Sequence, residues 1–231
     1  MVRGAFVLLV FALGCATPAT TPAPGRSTAS GSLRLIPREG VTPGGTGGSP
    51  YADRSLRDVE FVDYAHPGFA VVYLDGRSAP GGSAELAIRA SKLQTRLEPA
   101  ELAVGVGGTL RVRNETEAPH ILSFPAADRV QSLAPGESLE LQVATAGAQS
   151  LFLLDVQGSE SSVFVAPGPF AVVRADGRWE IRDVEPGRVR VIAWHVRFPR
   201  NAAWLELVPG GVAQLDLEVG VGRAGASDEV D

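Results

Sequence analysis

Thr109-Leu110-Arg111-Val112-Arg113-Asn114, continued by Glu115-Thr116-Glu117-Ala118-Pro119-His120-Ile121-Leu122-Ser123-Phe124, decides how the chain is read. Leu110 and Val112 alternate with Arg111 and Arg113, the period of a strand with one buried and one wet face. Asn114 to Pro119 carries turn chemistry, and His120 stands where the chain re-enters an apolar run, Ile121 to Phe124. A histidine at the end of such a loop is one ligand of a metal site if other donors converge on it.

The same signature repeats outward in both directions. Phe69 to Leu74, Ala84 to Ala90, Leu93 to Leu97 and Leu102 to Val106 are short apolar runs bounded by turn residues. Leu139, Leu141 and Val143 alternate with Glu140 and Gln142. Leu151 to Leu154 is apolar on both faces, as a central strand would be. Val163 to Val165 follows. Beyond Pro167-Gly168-Pro169 come Phe170 to Arg174 and Trp179 to Arg182, flanking the hairpin signal Asp176-Gly177. Glu185-Pro186-Gly187-Arg188 suits a type II turn, and Val189 to His195, Ala203 to Val208 and Val212 to Val219 complete the series. Roughly a dozen strands at this spacing predict an all-β protein. Two sandwiches in series are expected, one over residues 51–166 and a smaller one over 167–221.

Outside this body the composition changes. Arg3 and the apolar stretch Ala5 to Leu13, too short to span a bilayer, form a signal-peptide pattern. It ends in Ala12-Leu13-Gly14-Cys15, which resembles a bacterial lipobox, so residues 1–15 are expected to be a lipoprotein signal ending at a lipidated Cys15. Cys15 is the only cysteine of the 231 residues, so an internal disulfide is excluded. Residues 16–50 are rich in Ala, Pro, Thr, Gly and Ser and are expected to be a disordered tether, with a short strand at Ser32 to Ile36. Residues 222–231 read as an acidic, solvated tail. The formal net charge of −5 argues against a nucleic-acid partner. Ala16 after the cysteine implies outer-membrane sorting. The expected location is therefore the bacterial envelope, anchored in the outer membrane and facing the periplasm or the cell surface.

The body resembles exported plastocyanin-like (cupredoxin) proteins of the methylamine-utilisation type fused to a carboxypeptidase-regulatory-like β module. The resemblance rests on Ala70-Val71-Val72-Tyr73-Leu74, on Gly107 to Asn114 with His120, and on Asp176-Gly177-Arg178-Trp179-Glu180-Ile181. Asp183-Val184-Glu185-Pro186-Gly187-Arg188 and Trp194-His195 complete it. It implies a cupredoxin-like Greek-key β-sandwich followed by a small transthyretin- or carboxypeptidase-regulatory-like sandwich. The family's blue-copper site takes a His, a Cys thiolate, a second His and a weak Met. Laid onto this chain from Gly147, the pattern puts Leu153 at the Cys position, Val156 at the second His and Ser159 at the Met. Only His120 is retained, so no cofactor is expected, and His120 is a vestige or a packing residue.

The remaining polar residues give no enzyme. No Gly-x-Ser-x-Gly elbow, phosphate loop or helical metal motif is present. His66, His120 and His195 are too scattered for an all-histidine site. Asp155 reads as an exposed strand-end carboxylate, and Trp179, Trp194 and Trp204 as core packing. Arg188, Arg190, Arg197 and Arg200 form a local basic cluster that could receive an anionic envelope partner. The expected function is a non-enzymatic, membrane-anchored binding or structural module that meets an envelope protein or glycan. The alternatives are a periplasmic copper-binding or electron-transfer protein using His120 with non-standard ligands, and an accessory subunit of an envelope enzyme complex.

Overall fold

The computed structural model describes residues 23–37, 63–78, 81–92 and 94–220. The signal segment with Cys15, the acidic tail, Leu93 and most of the expected tether lie outside the described residues. Within them the chain is built from β-strands, and the one helical element is a single 3-10 turn, Pro125–Ala127.

The first sandwich is closed by strands that are contiguous in the chain. They are β3 (Ser83–Ala90), β4 (Thr95–Glu98), β5 (Glu101–Gly105), β6 (Gly108–Asn114), β7 (His120–Phe124), β8 (Arg129–Leu133), β9 (Ser138–Val143), β10 (Gly147–Leu153) and β11 (Glu160–Ala166). One sheet has the order β4-β3-β6-β9 and the other β5-β11-β10-β7-β8. The expected alternation is realised: Leu110 pairs with Leu141 and Val112 with Leu139 on the buried face, while Arg111 and Glu140 pair on the wet one. β10 lies between β11 and β7, the central position expected of it, with Leu151 and Leu153 buried and Phe152 half-buried on the other face.

The second sandwich corrects the serial arrangement. Its later strands are β12 (Phe170–Val172), β13 (Arg178–Val184), β14 (Gly187–His195), β15 (Phe198–Leu207), β16 (Val212–Gln214) and β17 (Leu217–Gly220). These do not close two sheets by themselves. β2 (Ala70–Asp75) lies between β12 and β14, and β1 (Ser27–Ile36) lies between β13 and the β16–β17 pair. The 83–166 sandwich is therefore inserted between the second and third strands of an outer sandwich, and residues 167–221 are only part of a unit. Ala70 to Leu74 belongs to that outer unit. The expected short strand at Ser32 to Ile36 is present but starts earlier, so the expected tether is broken by the ten-residue β1.

Small residues explain how β1 reached this position while reading as linker. A Cβ on Gly31 would lie 1.8 Å from the carbonyl oxygen of Leu215, so only glycine lets the two backbones approach. At that point the expected single strand 212–219 divides into β16 and β17, with Leu215 N–H donating to Ser30 O at 2.9 Å. The Asp176-Gly177 turn is also not a ladder hairpin, because the strands either side of it enter different sheets.

Two cores and a seam follow. Val72, Leu74, Val191 and Trp179 pack inside the outer sandwich, and Leu110, Leu122, Leu151 and Val163 inside the inserted one. The seam joins Val71, Tyr73, Ile192 and Trp194, from the opposite faces of β2 and β14, to Phe164 and Ala166 of β11. Phe164 stacks on Trp194 with ring centroids 4.2 Å apart, an arrangement that adds to the area both rings remove from water. At the return crossing, a Cβ on Gly168 would sit 2.0 Å from Leu74 O, and Leu74 N–H donates to Pro169 O at 2.9 Å.

A chain that begins at Tyr51 lacks β1 and is expected to lose the cooperative melt of the outer sandwich, read from the near-ultraviolet circular dichroism of buried Trp179. The inserted sandwich should keep its own transition. A truncated chain that melts like the full-length protein would contradict the nested arrangement.

Candidate functional site

The loop that presents His120 is held by Asn114, which is fully buried. Its amide donates to Ala118 O at 2.8 Å and Leu133 O at 2.9 Å. Its oxygen accepts from Thr116 N–H at 3.0 Å and from the Thr116 hydroxyl at 2.8 Å. Every hydrogen-bonding group of the side chain is used, so the loop enters β7 in one conformation.

His120 is 7% exposed and meets Asp155, whose Oδ2 lies 2.7 Å from the imidazole Nδ1. Asp155 Oδ1 accepts the backbone N–H of Ile121 at 2.9 Å, and Leu154 N–H donates to Ile121 O at 2.9 Å. Asp155 is thus an exposed carboxylate just past the end of β10, as the sequence predicts, but it is also the partner of His120. Desolvation opposes its ionisation, but hydrogen bonds from Ile121 N–H and His120 outweigh that and hold the carboxyl below its ordinary range. With Asp155 ionised, Nδ1 carries a proton and donates it.

The three other family ligand positions fall in or beside the same β10–β11 turn. Leu153 is buried in the inserted core, and Val156 packs against that core. The Ser159 hydroxyl accepts Leu97 N–H at 3.1 Å, while Ser159 O accepts Leu153 N–H at 3.1 Å. These groups offer no thiolate and no second imidazole, and the Ser159 oxygens are engaged by β4 and by β10. They do not fit a blue-copper ion. Among the described residues no group of three or more His, Cys, Asp or Glu side chains gathers as a metal-binding cluster.

The other histidines are each engaged locally. His195 lies 2.9 Å from Pro67 O through Nε2 and accepts Arg197 N–H at 3.0 Å through Nδ1, which fixes a neutral tautomer; burial lowers its pKa. His66 Nδ1 lies 2.7 Å from Asp63 Oδ2 at the surface.

The four arginines separate into two groups. Arg188 and Arg190 lie opposite Glu206 and Trp204 on β14 and β15, whereas Arg197 and Arg200 lie at the other end of that hairpin, beside the His195–Phe198 pair. Trp179 and Trp194 are buried, as expected of core residues, but Trp204 is 58% exposed. The Arg188 guanidinium sits over its ring at 4.6 Å, a cation–π contact. Core packing was expected of Trp204 as well, but the edge position of β15 leaves it exposed. A separate groove of about 690 Å³ crosses the outer face of β3, β4 and β6. There Arg89 bridges Glu115 at 2.9 Å and Glu98 at 3.3 Å, and such exposed pairs contribute little.

No protein-family model and no curated protein matches the chain. Among solved structures, the chain is similar to a purple cupredoxin from Nitrosopumilus maritimus, at 18% identity over 36% of this chain and 99% of that one, with a TM-score of 0.31. It is also similar to a methionine-to-alanine mutant of amicyanin in its Cu(I) form, at 21% identity over 41% and 97%, with a TM-score of 0.31. Likeness of this degree carries nothing about chemistry. The class of the protein rests on its own strand pairing: all-β, one sandwich set inside another.

Asp155→Asn keeps an acceptor for Ile121 N–H but places an amide donor or a neutral oxygen against His120. It is expected to cost about 1–3 kcal/mol in urea unfolding at neutral pH. Because the folded pKa of Asp155 is depressed, its ionised form stabilises the fold above the unfolded value of about 3.9. That contribution is lost as pH falls through the folded value, so wild type and variant should converge in acid. A constant difference across that range would contradict the pairing.

Proposed function

We propose that the chain is a non-enzymatic binding module of the bacterial envelope, held at the outer membrane through a lipidated Cys15, in which a cupredoxin-like sandwich without copper has become structural. The observation that carries the binding role is the Arg188–Trp204 stack. An exposed indole with one guanidinium on its ring and a second, Arg190, in register beside it matches a partner that offers both a flat ring and negative charge. An anionic envelope glycan has that chemistry: sugar rings stack on indole, and carboxylates or phosphates take guanidinium donors in pairs. Arg197 and Arg200, at the far end of the hairpin, are outside this contact.

The second reading, copper held at His120 by oxygen ligands, draws only on an imidazole Nε2 that has no hydrogen-bond partner among the described residues. The accessory-subunit reading draws on the same surface, with a protein as partner.

Lipopolysaccharide and a polyuronate are the probes for the glycan reading. Binding of the full-length protein should weaken as salt rises, and Arg188→Ala or Trp204→Ala should each reduce it about tenfold, equivalent to about 1.4 kcal/mol. Arg200→Ala should leave it unchanged. Equal losses at all three positions, or retention that ignores salt, would contradict the assignment.

A further inference from the structure

The placement of β1 changes how the molecule meets its membrane. Seven residues, not thirty-five, separate Cys15 from the first described residue, Ala23. Fully extended, the path from Cys15 to Ala23 reaches at most about 29 Å. The chain then enters the outer sandwich at one end, and a particular turn is fastened beside the entry. Ser27 Oγ donates to Val208 O at 2.7 Å, Thr28 N–H to Gly211 O at 2.9 Å, and Gly210 N–H to Arg26 O at 2.7 Å.

That turn is apolar where it faces out. Val208 is 62% exposed and Val212 53%, with exposed Pro209 between them. Arg26 is exposed next to it, its guanidinium 3.5 Å from Glu185. The other exposed large aliphatics lie elsewhere: Val196 in the turn at the opposite end of the β14–β15 hairpin, Val172 on β12 opposite Val71, which itself pairs with Trp194 toward that same end, and Ile121, Val130 and Leu154 on the inserted sandwich. Apolar side chains, a proline and an arginine at the point where the chain leads to an acyl anchor make up a shallow interfacial contact.

We propose that the Val208–Val212 turn rests in the lipid interface of the membrane that holds Cys15, so that the outer sandwich stands with the start of β1 downward and the Val196 turn away from the bilayer. This orientation rests on the anchored reading above and adds a footprint to it. Trp204 and Arg188, a short way up β14 and β15 from the turn, then face the headgroup layer, where an anionic glycan attached to lipid would be met at close range.

The test uses the full-length lipidated protein in vesicles of phosphatidylethanolamine and phosphatidylglycerol. Acylated Cys15 has no free thiol, so Val212→Cys or Val196→Cys supplies a single position for an environment-sensitive fluorophore, and brominated lipid serves as quencher. Both sites are exposed, and far-ultraviolet circular dichroism checks each variant's fold. The expected result is several-fold stronger quenching at position 212 than at position 196. Lipid on Cys15 by mass, with equal quenching at the two positions or none at 212, would overturn the orientation alone. Absence of lipid on Cys15 would overturn the anchored reading and the orientation with it.

Discussion

β2 is buried on both sides, and the two sandwiches are organised around that fact. Ala70, Val72 and Leu74 point into the outer core, while Val71 and Tyr73 point into the seam. Its antiparallel register with β14 runs from Ala70 opposite His195 to Asp75 opposite Arg190, giving β14 the same division of faces. A short strand with no polar face must lie between two apolar layers, because burying its backbone is tolerable only when its hydrogen bonds are made and its side chains are covered. The layer on one side is the outer core. On the other it is β11, whose Phe164 and Ala166 likewise point away from their own sandwich. Insertion and host are thus joined by a packed interface as well as by the two chain crossings near Gly168 and Gly81.

This construction bears on the histidine site. In the inserted sandwich the β10–β11 turn is closed by its own side chains and their neighbours. Leu153 contributes to the core, the Ser159 hydroxyl satisfies Leu97 N–H, and Asp155 ties His120 and Ile121 to the turn. A charged hydrogen bond to a mostly buried imidazole holds the two strand ends together as a metal would, without demanding the ion. The His120–Asp155 interaction is structural, and the proposed partner contact lies at the surface, where Trp204 and Arg188 stand.

Much of the fold was legible from local pattern. The alternations at 109–113 and 139–143 gave their strands and the correct buried faces, and the apolar run at 151–154 gave a central strand, although Leu154 lies past its end and is exposed. That positions 153, 156 and 159 carry no sulfur or imidazole was readable from residue type alone. Nesting was not legible, because neighbouring segments usually pair and nothing local says that Ala70 to Leu74 pairs with residues 120 positions away. The second half of β1, Ser32 to Ile36, was legible, but its first half was hidden by composition: Ser, Thr, Ala and Gly lack the bulk that marks a strand, yet those small residues let Leu215 approach Gly31. Asp155 was visible as a charge ending an apolar run, but its bond to a histidine 35 residues earlier has no local signature. The basic cluster was half right, since spacing along a hairpin does not show that its two ends lie far apart.

The central claim is that this sandwich works by contact and not by copper redox chemistry, and the visible spectrum of the full-length protein after addition of stoichiometric Cu(II) tests it most directly. Without a thiolate in the β10–β11 turn, the account predicts no intense charge-transfer band, in the wild type or in His120→Ala. A strong visible absorption that appears with copper and disappears in His120→Ala would contradict it.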